Sequence, residues 1–198
     1  MSLTKFKRIL CLILSIFLLG CAAVGVPWTP DPARKLTGAQ SLFQDLNRPL
    51  PAQNLIEEAI EIYKKRNDKL GLAIAYQTYG DFLQSPVVGQ WSKMDFFDKT
   101  VTQDNRYQKA LEYYQKALDI AENISDHAMA SSAYFSIGRL YLLHFENKEF
   151  VCNNFTKSIE QHLIFRKDNP NTKVNLPAGY NTFVDYLNAV QKQAGCQK

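Results

Sequence analysis

The sequence predicts an all-α fold, and three observations favour that class. Apolar residues recur at spacings of three and four along most of the chain after Asn54, as one face of a helix requires. Sustained apolar–polar alternation and Asn-Gly or Asp-Gly hairpin dipeptides, which are typical of strands, do not occur. An internal repeat is also present, and a single register aligns several matches: residues 59–62 with residues 117–120, Ala75-Tyr76 with Ala133-Tyr134, and Gly80 with Gly138.

The first 21 positions have the layout of a secretory signal that ends in a cysteine. Three basic side chains lie within residues 5–8, an uncharged apolar run covers Ile9–Leu19, and Gly20 precedes Cys21. This layout resembles the lipobox of bacterial lipoproteins, which implies that residues 1–20 are removed and that Cys21 is lipidated. A transmembrane anchor is the alternative, but a membrane span needs about 20 apolar residues. The run Ile9–Leu19 is therefore too short to cross a membrane.

Ala22 follows the cysteine, where an aspartate signals retention in the inner membrane in many Gram-negative lipoproteins. The resemblance therefore implies a lipid anchor in the outer membrane and a domain in the periplasm, with the inner membrane as the less favoured site. Loss of residues 1–20 removes three basic side chains and no acidic one, so the formal net charge falls from +4 to +1. A net charge this close to zero does not indicate binding to nucleic acid, and we expect no nucleic-acid partner.

Residues 21–37 predict an acylated, extended tether, because three prolines and no helical period occur in its first part. The helical domain is expected to cover residues 38–198. A short helix over residues 39–47 is expected to end before Pro49 and Pro51.

Residues 106–118 resemble the second-helix pattern of the tetratricopeptide repeat family, with Tyr107, Ala110, Tyr114 and Ala117 on its signature spacing. The segments around Gly80 and Gly138 resemble its first-helix pattern. The resemblance covers residues 55–165 and implies a short solenoid of about two to three antiparallel helix pairs. Glycine has no Cβ, so a neighbouring helix can approach closely at Gly80 and Gly138.

A repeat of this family has about 34 residues. The interval from Gly80 to Gly138 is much longer, which implies an insertion that we place at residues 85–104, between the helices of one pair. A final amphipathic helix over about 178–194 is expected to cap the solenoid, with Gly195 as its terminator. Cys152 and Cys196 are the cysteines left after Cys11 and Cys21, and an oxidising periplasm favours a disulfide between them. Two free thiols are the alternative.

Signals for catalysis are weak. His127, His144 and His162 lack the spacing of zinc ligands, and neither a phosphate-binding glycine loop nor a Gly-x-Ser-x-Gly elbow occurs. We therefore predict no catalytic residue, no metal and no cofactor. A small cell-wall hydrolase stays as a third hypothesis, with Glu57, Asp81 or Asp95 as acid or base.

Two surfaces are predicted to bind a protein or peptide partner. In the family, ligand contacts come from first-helix positions on the inner face, which here implies Gln77, Asp81, Gln84, Phe135, Arg139 and Leu142. The alternative is that these side chains face solvent or lie under the cap. The insertion is the second surface, because it concentrates four large apolar side chains: Trp91, Met94, Phe96 and Phe97. Its alternative is a short extra helix, with Trp91, Met94 and Phe97 packed on the solenoid.

These features predict a protein-binding adaptor or assembly factor for an envelope complex, such as a pilus, secretion or cell-wall machine. This function follows from the resemblance to repeat modules that recruit partners. The alternative is an immunity or inhibitor lipoprotein that blocks a toxic enzyme through the aromatic insertion.

Overall fold

The computed structural model describes residues 29–91 and 94–196, and within these residues the regular structure is entirely helical. Eight α-helices and one π-helical turn over Tyr141–Phe145 follow one another in the described part of the chain. The α-helices are α1 Pro32–Gln44, α2 Pro49–Arg66, α3 Lys69–Gln84, α4 Pro86–Gln90, α5 Arg106–Asn123, α6 His127–Leu140, α7 Lys148–Asp168 and α8 Phe183–Gln193.

The helices form three antiparallel pairs, α1 with α2, α3 with α5, and α6 with α7. Successive pairs are joined by contacts of α2 with α3 and of α5 with α6, and the first helices α1, α3 and α6 also touch in series. This is a short solenoid of tetratricopeptide-like form, as the sequence predicts. The first helices share one face, which we call the concave face, and α2, α5 and α7 lie behind them.

Gly80 and Gly138 lie where an aromatic ring from the second helix packs against the first. A Cβ on Gly80 would lie 2.5 Å from Cε1 of Tyr114, and one on Gly138 would lie 2.7 Å from Cε1 of Phe155. Both rings are fully buried. The predicted close approach at these two glycines is therefore confirmed, since any larger residue would displace a core ring.

The predicted tether is too long at its C-terminal end. Residues 32–37 belong to α1, which begins at Pro32 after an N-cap at Asp31, whose Oδ1 accepts a hydrogen bond from the Ala33 amide at 3.0 Å. Proline has no N–H and its φ suits the first turn of a helix, so Pro32 starts a helix instead of preventing one. Residues 21–28 of the predicted tether and residues 1–20 lie outside the described residues.

The next two boundaries also differ from the prediction, and Pro49 starts α2 as Pro32 starts α1. Helix α1 ends at Gln44, before the predicted end at residue 47, and α2 begins at Pro49 instead of after Pro51. Four apolar side chains of α1 are buried at helical spacing against α2: Leu36, Ala39, Leu42 and Phe43. The first pair is therefore a full repeat-like unit.

The insertion packs onto the solenoid. Its helix is α4, Pro86–Gln90, and the segment from Met94 to Asn105 follows it as an irregular loop. Gln53 of α2 donates from Nε2 to the carbonyl of Asp95 at 2.9 Å, and the Tyr113 hydroxyl of α5 donates to Asp98 at 2.7 Å. These contacts hold the loop against two second helices.

Helix α8 covers the end of the last pair. It begins at Phe183, later than the predicted start near residue 178, because the Thr182 hydroxyl caps it by accepting from the Asp185 amide at 3.0 Å. Leu187 is fully buried in a cluster with Val151 and Phe155 of α7. Gly195 has a φ of +73° directly after the helix, which confirms it as the terminator.

A disulfide links the cap to α7. Cys152 lies in the second turn of α7 and Cys196 follows α8, and their Cα atoms are 5.6 Å apart. The bond closes a loop with a sequence separation of 44 residues. In the described part of the chain, none of the helices is both long and apolar enough to cross a membrane.

Candidate partner-binding groove

A cavity of about 520 Å³ opens on the concave face where the three first helices meet. Helix α1 contributes Phe43 and Gln44, and α3 contributes Asp81 and Gln84. The remaining walls come from the start of the insertion, α5, α6 and the π-helical turn, which supply Ser85, Pro86, Tyr107, Arg139, Leu143 and His144. We call this cavity the concave groove.

Asp81 is held by partners from its own helix pair. The buried Tyr114 hydroxyl donates to Oδ1 of Asp81 at 2.7 Å, and Nε2 of Gln84 donates to the same oxygen at 3.3 Å. Burial raises the pKa of Asp81, and the bond from Tyr114, the charge of Arg139 and the bond from Gln84 oppose that rise. Burial also raises the pKa of Tyr114 well above its usual value. The tyrosine is therefore a neutral donor whose position is fixed by the core.

Arg139 stands across the groove from Asp81 without touching it. No ion pair within 4.0 Å joins its guanidinium to any carboxylate among the described residues. Its Cζ atom lies 5.7 Å from the centre of the Phe135 ring, and the side chain is half-buried. A guanidinium in this state can donate two parallel hydrogen bonds to a carboxylate from outside the chain.

One wall of the groove is a stack of Tyr107 and His144, with ring centres 3.7 Å apart and an interplanar angle of 16°. Arg106 supports this wall, since its Cζ atom is 4.0 Å from the Tyr107 ring centre and its Nη1 donates to the carbonyl of Leu83 at 2.7 Å. Burial lowers the pKa of His144, and the charge of Arg106 lowers it further. The lowered pKa favours the neutral imidazole, so the fixed positive charge of the lining is that of Arg139, with Arg106 behind the Tyr107 ring.

Three of the six residues predicted on the inner face, Asp81, Gln84 and Arg139, line the concave groove together. Gln77 lies outside it and bridges two first helices, because its Nε2 donates to Oγ of Ser132 at 2.6 Å. Leu142 is exposed on the π-helical turn. Phe135 packs under the cap against Phe183, with ring centres 5.9 Å apart, which matches the alternative that the cap covers such residues.

Two predicted contact residues in the insertion need correction. Met94 and Phe96 are buried in the main core, and no partner can reach them without unfolding the loop. Phe97 is half-buried against Tyr79, with ring centres 4.4 Å apart. Trp91 alone of the four is exposed, by 40%. Aromatic side chains in an insertion can fill a gap in a helical core as readily as they bind a partner, and here they do the former.

The carboxylates considered for a hydrolase do not share a cavity. Asp81 lines the concave groove, Glu57 lines a cavity formed by α2, α3, α5 and the insertion, and Asp95 is exposed and pairs with Lys99 at 2.7 Å. Within the described residues, no cluster of three or more metal-ligating side chains is present. Cys21 lies outside the described residues.

Several groove residues were not identified from the sequence, among them Phe43, Tyr107, Leu143 and His144. For the first of these, the apolar residues Leu36, Ala39, Leu42 and Phe43 recur at helical spacing in α1, although Gly38 makes only an ordinary contact with Leu55 at 3.5 Å and lacks the close approach seen at Gly80 and Gly138. The π-helical turn that brings in Leu143 and His144 has no comparable signal.

Residues 101–149 match the tetratricopeptide repeat family. The matched segment contains α5, α6 and the π-helical turn, which is a second helix followed by the first helix of the next pair. No curated protein matches the chain. Together with the all-helical fold, the match indicates a module for interaction with other proteins.

Proposed function

We propose that this protein is a lipid-anchored adaptor of the bacterial envelope that binds a segment of a partner protein in the concave groove. The observation that carries the proposal is the meeting of three first helices around one cavity, with Arg139 at its wall and outside every ion pair of the described residues. Modules of stacked helix pairs use such concave surfaces for binding. The adaptor has no catalytic role.

The groove suits a segment that carries one carboxylate and one apolar side chain. Arg139 offers its guanidinium to the carboxylate. The Gln84 amide nitrogen already donates to Asp81 and to the Tyr114 hydroxyl, so it fixes the lining beside that guanidinium. Phe43, Pro86 and Leu143 form the apolar part of the lining. Leu143 is 57% exposed, so a bound side chain would bury apolar area there.

The cellular setting of the proposal comes from the sequence. The layout that ends in Gly20-Cys21 supports cleavage after residue 20 and acylation of Cys21. Ala22 supports transfer to the outer membrane, with the domain in the periplasm. The pairing of Cys152 with Cys196 fits an oxidising compartment. The adaptor would then serve an envelope assembly such as a pilus, secretion or cell-wall machine.

The two other hypotheses receive no specific support. An inhibitor that acts through the aromatic insertion would need Met94 and Phe96 at the surface, and both are buried. A hydrolase that uses Glu57, Asp81 or Asp95 would need two of these carboxylates in one cleft, and they line separate surfaces.

Partner binding can be tested by site-specific photo-crosslinking in a Gram-negative host that carries the native envelope. A benzophenone amino acid at Leu143 should give a discrete adduct, and Arg139→Glu should reduce the adduct at least about tenfold because it reverses the groove's charge. The matched control is Lys65→Glu on the exposed end of α2, which should leave the adduct intact. Equal adducts in both variants would contradict the proposed site.

Lipid attachment is tested separately by metabolic labelling with an alkyne fatty acid. The wild-type chain should incorporate the label and sediment with membranes, and Cys21→Ser should do neither. Label retained in the Cys21→Ser variant would overturn acylation at this residue without bearing on the groove.

A further inference from the structure

A second groove, on the opposite side of the solenoid, lies between the second helices α5 and α7. It encloses about 550 Å³, and each bordering helix contributes one face at helical spacing. Its floor comes from α6, and its walls come from α5 and α7: Leu111, Glu112, Gln115, Leu118, Glu122, Tyr134, Ile137, Tyr141, Phe150, Asn153, Asn154 and Lys157. We call it the outer groove.

The floor and one end of the outer groove are apolar. Ile137 and Leu118 are buried at its base, and Tyr141 and Phe150 stack at one end with ring centres 4.7 Å apart. Phe150 is 45% exposed although it is a large aromatic residue. A channel between two helical ridges with an exposed aromatic side chain at its end is the shape that receives an amphipathic helix.

The charge around the outer groove is predominantly negative. Glu112 and Glu122 line it, and Asp119 and Glu160 lie close enough to raise the pKa of Tyr134 in its floor, together with burial and the bond to Glu122. The basic residue in the lining is Lys157, whose Nζ lies 5.2 Å from the Tyr134 ring centre, and Lys109 beside the groove pairs with Glu112 at 2.8 Å. This aromatic floor already holds a cation, which is the interaction that an incoming lysine or arginine would also make.

We propose that the outer groove binds a basic amphipathic helix of a second protein, with apolar side chains on Phe150 and Leu111 and with lysine or arginine facing Glu112 and Glu122. In the concave groove the cation of the lining is Arg139, Arg106 lies behind the Tyr107 wall, and ionisation of the one acidic lining residue, Asp81, is disfavoured by burial. A basic helix is therefore directed to the outer groove and repelled from the concave one. The protein would engage two partners at once, one on each side.

The test uses two synthetic 18-residue helical peptides with the same leucine and alanine stripe, one flanked by lysine and the other by glutamate. Binding is measured by fluorescence anisotropy to the full acylated chain in phosphatidylcholine nanodiscs, with empty nanodiscs as the blank. The lysine peptide should bind, its affinity should fall with added salt, and the glutamate peptide should bind at least about tenfold more weakly.

Gln115 supplies the matched variants, because it is exposed in the middle of the α5 wall and its replacements are good helix formers. Gln115→Glu should tighten binding of the lysine peptide and Gln115→Lys should weaken it, for a difference of about tenfold between the two. Lys65→Glu, which lies in neither groove, should leave this binding unchanged.

A photoreactive group on the lysine peptide should crosslink to residues of α5 or the first turns of α7. Three results would overturn the proposal: no preference for the lysine peptide, equal affinities of the two Gln115 variants, or crosslinks on the concave face. Competition by a second copy of the chain at raised concentration would also overturn it, since the groove would then be a self-association surface. None of these results depends on whether the concave groove binds its own partner.

Discussion

The pairs α3/α5 and α6/α7 have the same backbone plan, yet they present different surfaces. In the first pair, the ring opposite Gly80 is Tyr114, whose hydroxyl donates a hydrogen bond to Asp81 in the concave groove. In the second pair, the ring opposite Gly138 is Phe155, which ends in an apolar cluster beneath α8. The first pair therefore has a hydroxyl–carboxylate bond at the concave groove, where the second pair has an apolar cluster beneath the cap.

The positions one repeat apart follow this division in part, since Asp81 and Arg139 both line the concave groove. Gln77, Asp81 and Gln84 of α3 stand where α6 and the π-helical turn have Phe135, Arg139 and Leu142. Phe135 contacts Phe155, Phe183 and Tyr186 and belongs to the capped end. A shared repeat thus specifies how helices approach, and the neighbouring side chains determine whether the resulting face stays open.

The largest expected effect concerns the capped pair alone. Replacement of both Cys152 and Cys196 by alanine should lower the free energy of unfolding by about 2 to 4 kcal/mol, because the unfolded chain loses a long crosslinked loop. Urea unfolding with and without reductant measures it. Reductant should lower the stability of the wild type and leave the double variant unchanged, and an insensitive wild type would contradict the bond.

The next effect tests both pairs equally. Gly80→Ala and Gly138→Ala should each destabilise by about 1 to 3 kcal/mol, since the new Cβ would lie within 2.5 Å and 2.7 Å, respectively, of a buried ring. Gly38→Ala is the control, because a Cβ there would meet Leu55 at 3.5 Å, and alanine should instead stabilise helix α1 by about 0.5 to 1 kcal/mol. The same sign for all three changes in urea midpoint would refute the ring-on-glycine packing.

A smaller effect is expected when the ring opposite Gly80 is made like the ring opposite Gly138. Tyr114→Phe removes the hydroxyl that donates to Asp81 and should cost about 1 kcal/mol. It should also weaken partner crosslinking at Leu143, because Asp81 loses the bond that positions it. The corresponding Phe155→Tyr variant buries a hydroxyl in the apolar cluster around Leu187 and should cost more than Tyr114→Phe. A reversed order of the two losses would mean that the two sites do not differ as described.

The smallest effect is a dependence on pH at Asp81. Its raised pKa means that burial disfavours the carboxylate in the folded chain, so the wild type gains stability as the pH falls through the folded pKa towards the unfolded value. Asp81→Asn lacks this titration and should be as stable as the wild type or more so at pH 7, with the difference shrinking in acid. Thermal unfolding from pH 7 to pH 3 measures it, and an advantage of the variant that grows in acid would contradict the raised pKa.

The helix pairs could be predicted because close packing of helices requires small residues at recurring positions in the sequence. Gly80, Gly138 and the tyrosines and alanines around them recur in one register, and the structure uses each glycine as a contact between helices. The boundaries near Pro32 and Pro49 were harder, because the same residue that ends a helix also suits the first turn of the next.

The candidate site could be predicted only in part. Asp81, Gln84 and Arg139 follow from the repeat register, which places them on first helices. Tyr107 and His144 reach the groove through the stacking of two separate elements, and Phe96 turns inward because the loop is tied to Gln53 and Tyr113. Contacts between residues far apart in the chain leave no local sequence pattern from which they could be predicted.

The start of α1 at Pro32 limits how far the solenoid can lie from the proposed lipid anchor. If Cys21 carries the acyl chains as we propose, only the segment Cys21–Asp31 joins the lipid to the first rigid turn, instead of a tether that continues to residue 37. Even when fully extended, a segment of this length spans at most about 40 Å. The linker would thus keep the first helix of the solenoid close to the bilayer. Binding would then be limited to partners that reach the membrane surface.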